Sequence, residues 1–370
     1  IKTPNIDALA ASGMLFTQHY SGAPVCAPAR YMLLTGQHAG HAYIRGNDEW
    51  TERGDVWNYE KAFSDPNLEG QRPIPDETIT IAEELKKVNY KTGIFGKWGL
   101  GAPNSEGVPN KQGFDYFFGY NCQRQAHNLY PSHLWENDKK VLLNNDLIAP
   151  HQKLDSSLNV YDQKNYQKFT QKEYAPEVIH KKALGFIDKN KDKPFFMYYA
   201  SPLPHLPLQA PEQLVASYQK TLGEEEPYKG GSYFPNRYPR ATYATMISYL
   251  DQQLGELIAK LKDLEIYDNT LIIFSSDNGP TYTGGVDFDF FESSKPFSNG
   301  YGRTKGYVYE GGIRVPAIIK WTGETRGNSL CEEPIISTDF YPTILDLIDA
   351  ETLPSQHVDG VSLKSILEGN

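Results

Sequence analysis

In the stretch APVCAPARYMLLTG, Cys26 is followed by Pro28 and Arg30, at the mouth of an apolar run that ends at Gly36. The run reads as a helix stopped by its glycine. Cys26 would then sit where unpaired backbone N–H groups collect and a thiol loses its proton more easily. Four more short stretches carry chemistry: Lys97 in FGKWGLG, His205 in SPLPHLPLQAP, Asp277 and Asn278 in SSDNGP, and Lys305 in RTKGYVYEGGIRVP. Singly, each has an ordinary reading. A cysteine among prolines packs as a small hydrophobe, SDNG makes a turn, and a histidine between prolines is a connector. Together they suit one ligand. Arg30, Lys97, Lys305 and His205 can surround a tetrahedral oxyanion, with the helix N-terminus adding backbone donors. Asp277 and Asn278 offer hard oxygens, fit for Ca2+ or Mg2+ rather than a soft metal. A thiol is a poor companion for such a cation, which suggests that Cys26 is not used as cysteine.

These residues need a scaffold that gathers strand ends, and the pattern supplies one. Strand-like runs (GMLFTQHY, KTGIFG, KPFFMYYA, NTLIIFSSDNGP, VPAIIKW) alternate with amphipathic helices. Thr3, Pro4 and Gly13 read as cap, first turn and stop of the opening helix, and Thr80 with Glu83 as a capping pair. Tyr243, Met246, Ile247, Leu250, Leu254, Leu257, Ile258 and Leu261 form one stripe at helical spacing. KPFFMYYA is wholly apolar, as strands buried on both faces are. The alternation predicts an α/β fold: a large, mostly parallel central sheet with helices on both faces. In such sheets the ligand crevice lies beyond the carboxyl ends of the strands, where the five stretches fall.

Bulk properties narrow the function. The net charge of -10 over 370 residues argues against nucleic acid, so an anionic ligand must be met by a local cationic cluster working against the overall field. No apolar run approaches the roughly 20 residues of a bilayer span. Cys26, Cys122 and Cys331 allow at most one disulfide and one special thiol. The segments 101–175, 219–240 and 280–306 lack periodicity and are rich in Tyr, Phe, Asn and Gly, as loops folded over a sugar pocket would be. The chain opens inside a helix without an initiator methionine, and reads as cut at its front.

In their order, Cys-x-Pro-x-Arg with LLTG, GIFGKWGLG, SPLPHLP, SSDNGP and KGYVYEGGIRVP resemble the signature blocks of the type I sulfatases, in the alkaline-phosphatase-like superfamily. The resemblance runs over nearly the whole chain. It implies one sulfatase catalytic domain over 1–370, with a first strand bearing an Asp-Asp pair upstream and a small antiparallel subdomain downstream. It implies that a maturation enzyme oxidises Cys26 to formylglycine, whose hydrate attacks sulfur. Arg30, Lys97 and Lys305 would then stabilise the sulfuryl oxygens, His205 would protonate the leaving oxygen, and Asp277, Asn278 and residue 26 would hold Ca2+, with Mg2+ possible. GHAYIRGN and GFDYFFGYNCQRQAHNLYPSHLW resemble bacterial enzymes for sulfated galactose or N-acetylgalactosamine, making Arg124, His127 and Arg45 candidate sugar contacts and a periplasmic or secreted location the expectation. One departure stands out: the family has histidine where this chain has Gly99. Rival readings are a phosphoester or phosphonate hydrolase of the same superfamily, an inactive sulfatase-like binding protein, and a cysteine hydrolase pairing Cys26 with His205.

Overall fold

The structure, a computed structural model, describes residues 1–298, 301–350 and 356–369. Its strands in chain order are β1 (Met14–Phe16), β2 (His19–Tyr20), β3 (Lys91–Lys97), β4 (Tyr116–Tyr120), β5 (His133–Glu136) and β6 (Lys139–Leu142). After them come β7 (Phe195–Ala200), β8 (Ile272–Ser275), β9 (Ala317–Lys320), β10 (Ser329–Cys331) and β11 (Ile335–Ile336). One sheet has the order β6-β5-β4-β3-β7, a second β10-β1-β9-β8, and β2 pairs with β11. Helices pack on both, so the α/β expectation holds. The ladders are mixed rather than mostly parallel, because β9 runs antiparallel to both β1 and β8, and β5 to both β4 and β6.

That antiparallel turn-back matters for the site. Ser275, the last residue of β8, pairs with Ala317, the first of β9, so the segment leading into β9 starts at the carboxyl end of β8. β3 and β7 are parallel and end in step, Gly96 opposite Ala200. Gly96 has φ +115°, and a Cβ there would lie 1.9 Å from the Ala200 carbonyl oxygen, so the two backbones touch at this end of the sheet.

Local signals decide the helices. Thr80 and Glu83 form the expected capping box on helix Ile81–Lys87. The long apolar stripe lies on helix Pro239–Asp263, with Tyr243, Met246, Leu257 and Leu261 buried. Thr3 does not cap its helix: its hydroxyl turns to Asp7, and the buried carboxylate of Asp251 accepts the Asn5 and Ile6 N–H groups instead (3.0 and 2.7 Å). A carboxylate at a helix N-terminus outcompetes a hydroxyl. β7 and β8 are apolar but only half-buried, since each pairs on one side alone among the described residues. Among the described residues no helix is long and apolar enough to cross a membrane.

Candidate active site around Cys26

Helix Cys26–Thr35 begins after Val25, which has no side chain able to cap it. Asn47 does the work from the following loop, its Oδ1 accepting the Ala27 N–H at 2.8 Å. At the other end Gly36 takes the left-handed conformation that closes the helix. Cys26 is thereby fixed and buried, with Sγ 3.7 Å from Lys305 Nζ and 3.6 Å from Asn278 Oδ1. Two backbone bonds hold the Lys305 loop there: Gly306 N–H donates to Pro24 (2.9 Å) and Lys305 N–H to Pro280 (3.1 Å). Arg30, one turn into the helix, donates from Nε to Asp277 Oδ2 at 2.9 Å and from Nη1 to the Lys97 carbonyl. Lys97, the last residue of β3, is 3% exposed. Trp98 beside it donates to the Gly107 carbonyl at 2.7 Å and locks the strand end.

Three cations thus surround Cys26 against one carboxylate. Burial opposes ionisation of the thiol, but Lys305 and Lys97, with help from Arg30, outweigh both burial and Asp277, and its pKa falls below the ordinary value. Cys122 is the contrast: burial pushes its thiol up to about 11. Burial raises Asp277, and the charges of Arg30, Lys97 and Lys305 more than reverse this, so it stays a carboxylate. Burial first, then Lys305 and Lys97, holds His205 well below the usual histidine range. Its Nδ1 donates to the Leu206 carbonyl (2.6 Å), which leaves Nε2 for a ligand. This arrangement can bind an anion at an activated group and deliver or accept a proton beside it.

Asp277 and Asn278 suit a hard cation by donor chemistry: both are oxygen donors, and Asn278 Oδ1 is aimed at residue 26. They supply two of the six to eight oxygens that Ca2+ takes. A sulfur at residue 26 fits that cation poorly, and an oxygen would fit it well.

The candidate sugar contacts divide. His127 joins the site, stacked on His205 with ring centroids 5.5 Å apart and planes 8° from parallel. His151 and Tyr233 complete the group, neither singled out by the sequence, although His151 lies in an aperiodic stretch marked as functional. Arg124 is a correction. It is 3% exposed and its guanidinium is spent on Glu49 Oε2 (2.6 Å) and on the Val56 and Leu68 carbonyls. A buried arginine so paired fastens the 49–68 loop, with donors of all three nitrogens already engaged within the protein. Arg45 is exposed, and its guanidinium folds back on the Ala42 and Gly40 carbonyls at 2.8 and 3.1 Å.

At Gly99 the geometry explains the missing histidine. Gly99 has φ +75°, and a Cβ there would come within 2.6 Å of Gln123 Cγ. Gln123 fills the space, donating from Nε2 to Asn47 Oδ1 (3.3 Å), and so connects to the helix start. Gln123 and Asn47 were missed by sequence reasoning, though each lies within two residues of a marked arginine. Gly99→His should therefore not restore a lost function. A left-handed backbone costs a non-glycine residue about 1–2 kcal/mol. The expected outcome is a lower urea midpoint with activity no higher than wild type, and a gain in kcat would contradict this account.

Comparison with known proteins agrees with the geometry. The chain is 29% identical to human N-acetylgalactosamine-6-sulfatase over 371 residues, all of this chain and 62% of that protein. It is 29% identical to mouse arylsulfatase J over 377 residues, covering 52% of that protein. The chain thus spans about half to three fifths of these relatives' lengths. Among solved structures, Ps i-CgsB in complex with k-i-k-neocarrahexaose superposes with a TM-score of 0.74 at 27% identity, covering 100% of this chain and 71% of that one. The phosphonate monoester hydrolase of Agrobacterium radiobacter shares the fold with a TM-score of 0.58 at 20% identity. The family model described as Sulfatase matches residues 1–350, and the chain, with its cationic cradle at Cys26, belongs to the sulfatase family.

Proposed function

We propose that this protein hydrolyses sulfate esters of galacto-configured sugars, using as nucleophile a formylglycine made from Cys26 by a maturation enzyme. The observation that carries the reading is the triad of cations, Arg30, Lys97 and Lys305, around a buried residue 26 at a helix N-terminus. The Cys26 sulfur marks the place of the aldehyde hydrate. One hydroxyl of that hydrate attacks sulfur and releases its proton to solvent, and the bond from sulfur to the sugar oxygen breaks. His205, protonated, gives its Nε2 proton to the departing oxygen. Lys97, Lys305 and Arg30 stabilise the sulfuryl oxygens as their charge grows. The second hydroxyl then gives its proton to the now neutral His205, its oxygen becomes the aldehyde carbonyl, the carbon–oxygen bond to the sulfate breaks, and sulfate leaves. Water adds back to regenerate the hydrate. Asp277 and Asn278 are the residues we assign to Ca2+, with Mg2+ the alternative, and the ion would draw charge from the sulfuryl oxygens. Glycan sulfate as substrate goes with a periplasmic or secreted location.

The sugar assignment rests on the names of the relatives and on His127 beside His205. A panel of sulfated sugars, with 4-nitrophenyl sulfate and a phosphate monoester as references, tests it. Galactose and N-acetylgalactosamine sulfates should lead, and His127→Ala should lose that preference while keeping aryl sulfate turnover. Mismatched hydroxyl recognition can cost about 10⁴ in kcat/KM. Preference for glucosamine sulfates would refute the sugar assignment, and preference for the phosphate ester would refute the sulfatase reading.

A further inference from the structure

We propose a second metal site, distinct from Asp277 and Asn278, in which His38, His41, His357 and Asp359 bind a divalent transition ion of the Zn2+, Ni2+ and Cu2+ class. Three imidazoles converge on one carboxylate oxygen. Asp359 Oδ1 lies 2.8 Å from His41 Nδ1, 2.9 Å from His357 Nε2 and 3.3 Å from His38 Nε2. The ligand atoms of His38, His41 and Asp359 all fall within 4.8 Å of one another. A tetrahedral ion with bonds of about 2.0–2.1 Å needs ligand atoms roughly 3.3–3.5 Å apart, so side-chain rotations that draw the rings together would build the site.

The backbone orients the carboxylate before any ion arrives. Asp359 N–H donates to the Gly36 carbonyl at 2.8 Å, and its Oδ2 accepts the His38 N–H at 2.9 Å. This leaves Oδ1 to the rings. The rings also touch each other: His38 and His41 stack at 4.8 Å, and His41 meets His357 edge-on at 4.3 Å. The imidazoles are half-exposed, so an ion can reach them, while the Asp359 side chain is only 9% exposed. Imidazole nitrogen with one carboxylate suits Zn2+, Ni2+ or Cu2+ and not Ca2+, which separates this cluster from Asp277 and Asn278. His38 Nδ1 now accepts the Gly40 N–H at 2.8 Å. Binding at Nε2 would return the proton to Nδ1 and release that bond, so His38 is the ligand that rearranges. The ion would tie the loop after the Cys26 helix to the segment around Asp359.

The test is calorimetric titration with Zn2+ of chelator-stripped, Ca2+-saturated Cys26→Ala protein, which removes any unconverted Cys26 thiol as a competitor. One equivalent should bind. His41→Ala and His357→Gln should each weaken it about 10-fold or more, and the double variant should abolish it with circular dichroism unchanged. With Cu2+, the electron paramagnetic resonance spectrum should show at least two nitrogen ligands, lost in the double variant. Absence of Zn2+ binding, or binding equal in the double variant, overturns the proposal.

Discussion

Replacing His205 with alanine should slow hydrolysis of a sugar sulfate by about 10²–10⁴-fold, the usual worth of a positioned acid, and leave 4-nitrophenyl sulfate far less affected. A sugar alkoxide cannot leave without a proton, whereas nitrophenolate can. The pH profile should carry the same mark. Burial, Lys305 and Lys97 keep His205 neutral in the free site at neutral pH. Because kcat/KM reports the free enzyme, it should keep rising for the sugar ester as pH falls through and below the ordinary histidine range, levelling only near the depressed value of His205 in the site. For the nitrophenyl ester it should stay nearly flat. Equal losses on both esters, or a flat profile for the sugar, would contradict the assignment of the acid.

The second large effect belongs to Asp277. Asp277→Asn keeps the shape but removes the only carboxylate hydrogen-bonded to Arg30 among the described residues. If Asp277 holds the cation, several kcal/mol of transition-state stabilisation should go, about 10³-fold in rate. Chelation of wild type should reach the same level and add little to the variant. A variant still losing the full factor on chelation would place the ion elsewhere. Stability carries its own sign. The folded pKa of Asp277 lies below its ordinary 3.8, so its contribution is present above that pH and fades as pH falls through the folded value. Wild type should exceed Asp277→Asn in stability near neutrality, and the gap should close in acid.

How far the sequence could carry this account is visible residue by residue. Cys26, Arg30, Lys97, Asp277, Asn278 and Lys305 meet in space because their motifs sit at strand ends and at one helix start, positions that periodicity and turn residues mark. Capping at Thr80 was legible because both partners are three residues apart. The cap on the first helix was not, because Asp251 lies 246 residues from Asn5. Arg124 misled for a related reason. An arginine in an aromatic loop has the same local pattern whether it faces a ligand or fastens Glu49. Gln123 was invisible because its place exists only where Gly99 leaves room for it, and Asn47 because it caps a helix twenty residues earlier in the chain. The apolar runs of β7 and β8 foretold strands but not their half-exposed state, since pairing is set by distant chain.

The measurement that bears most directly on the central claim is the mass of the peptide spanning residue 26, read beside sulfate-ester turnover on the same preparations. Protein made with and without a maturation enzyme supplies the range. The account predicts that sulfur and two hydrogens are replaced by one oxygen in the active material, and that turnover scales with the fraction so changed. Full turnover from protein whose residue 26 is wholly cysteine would contradict it.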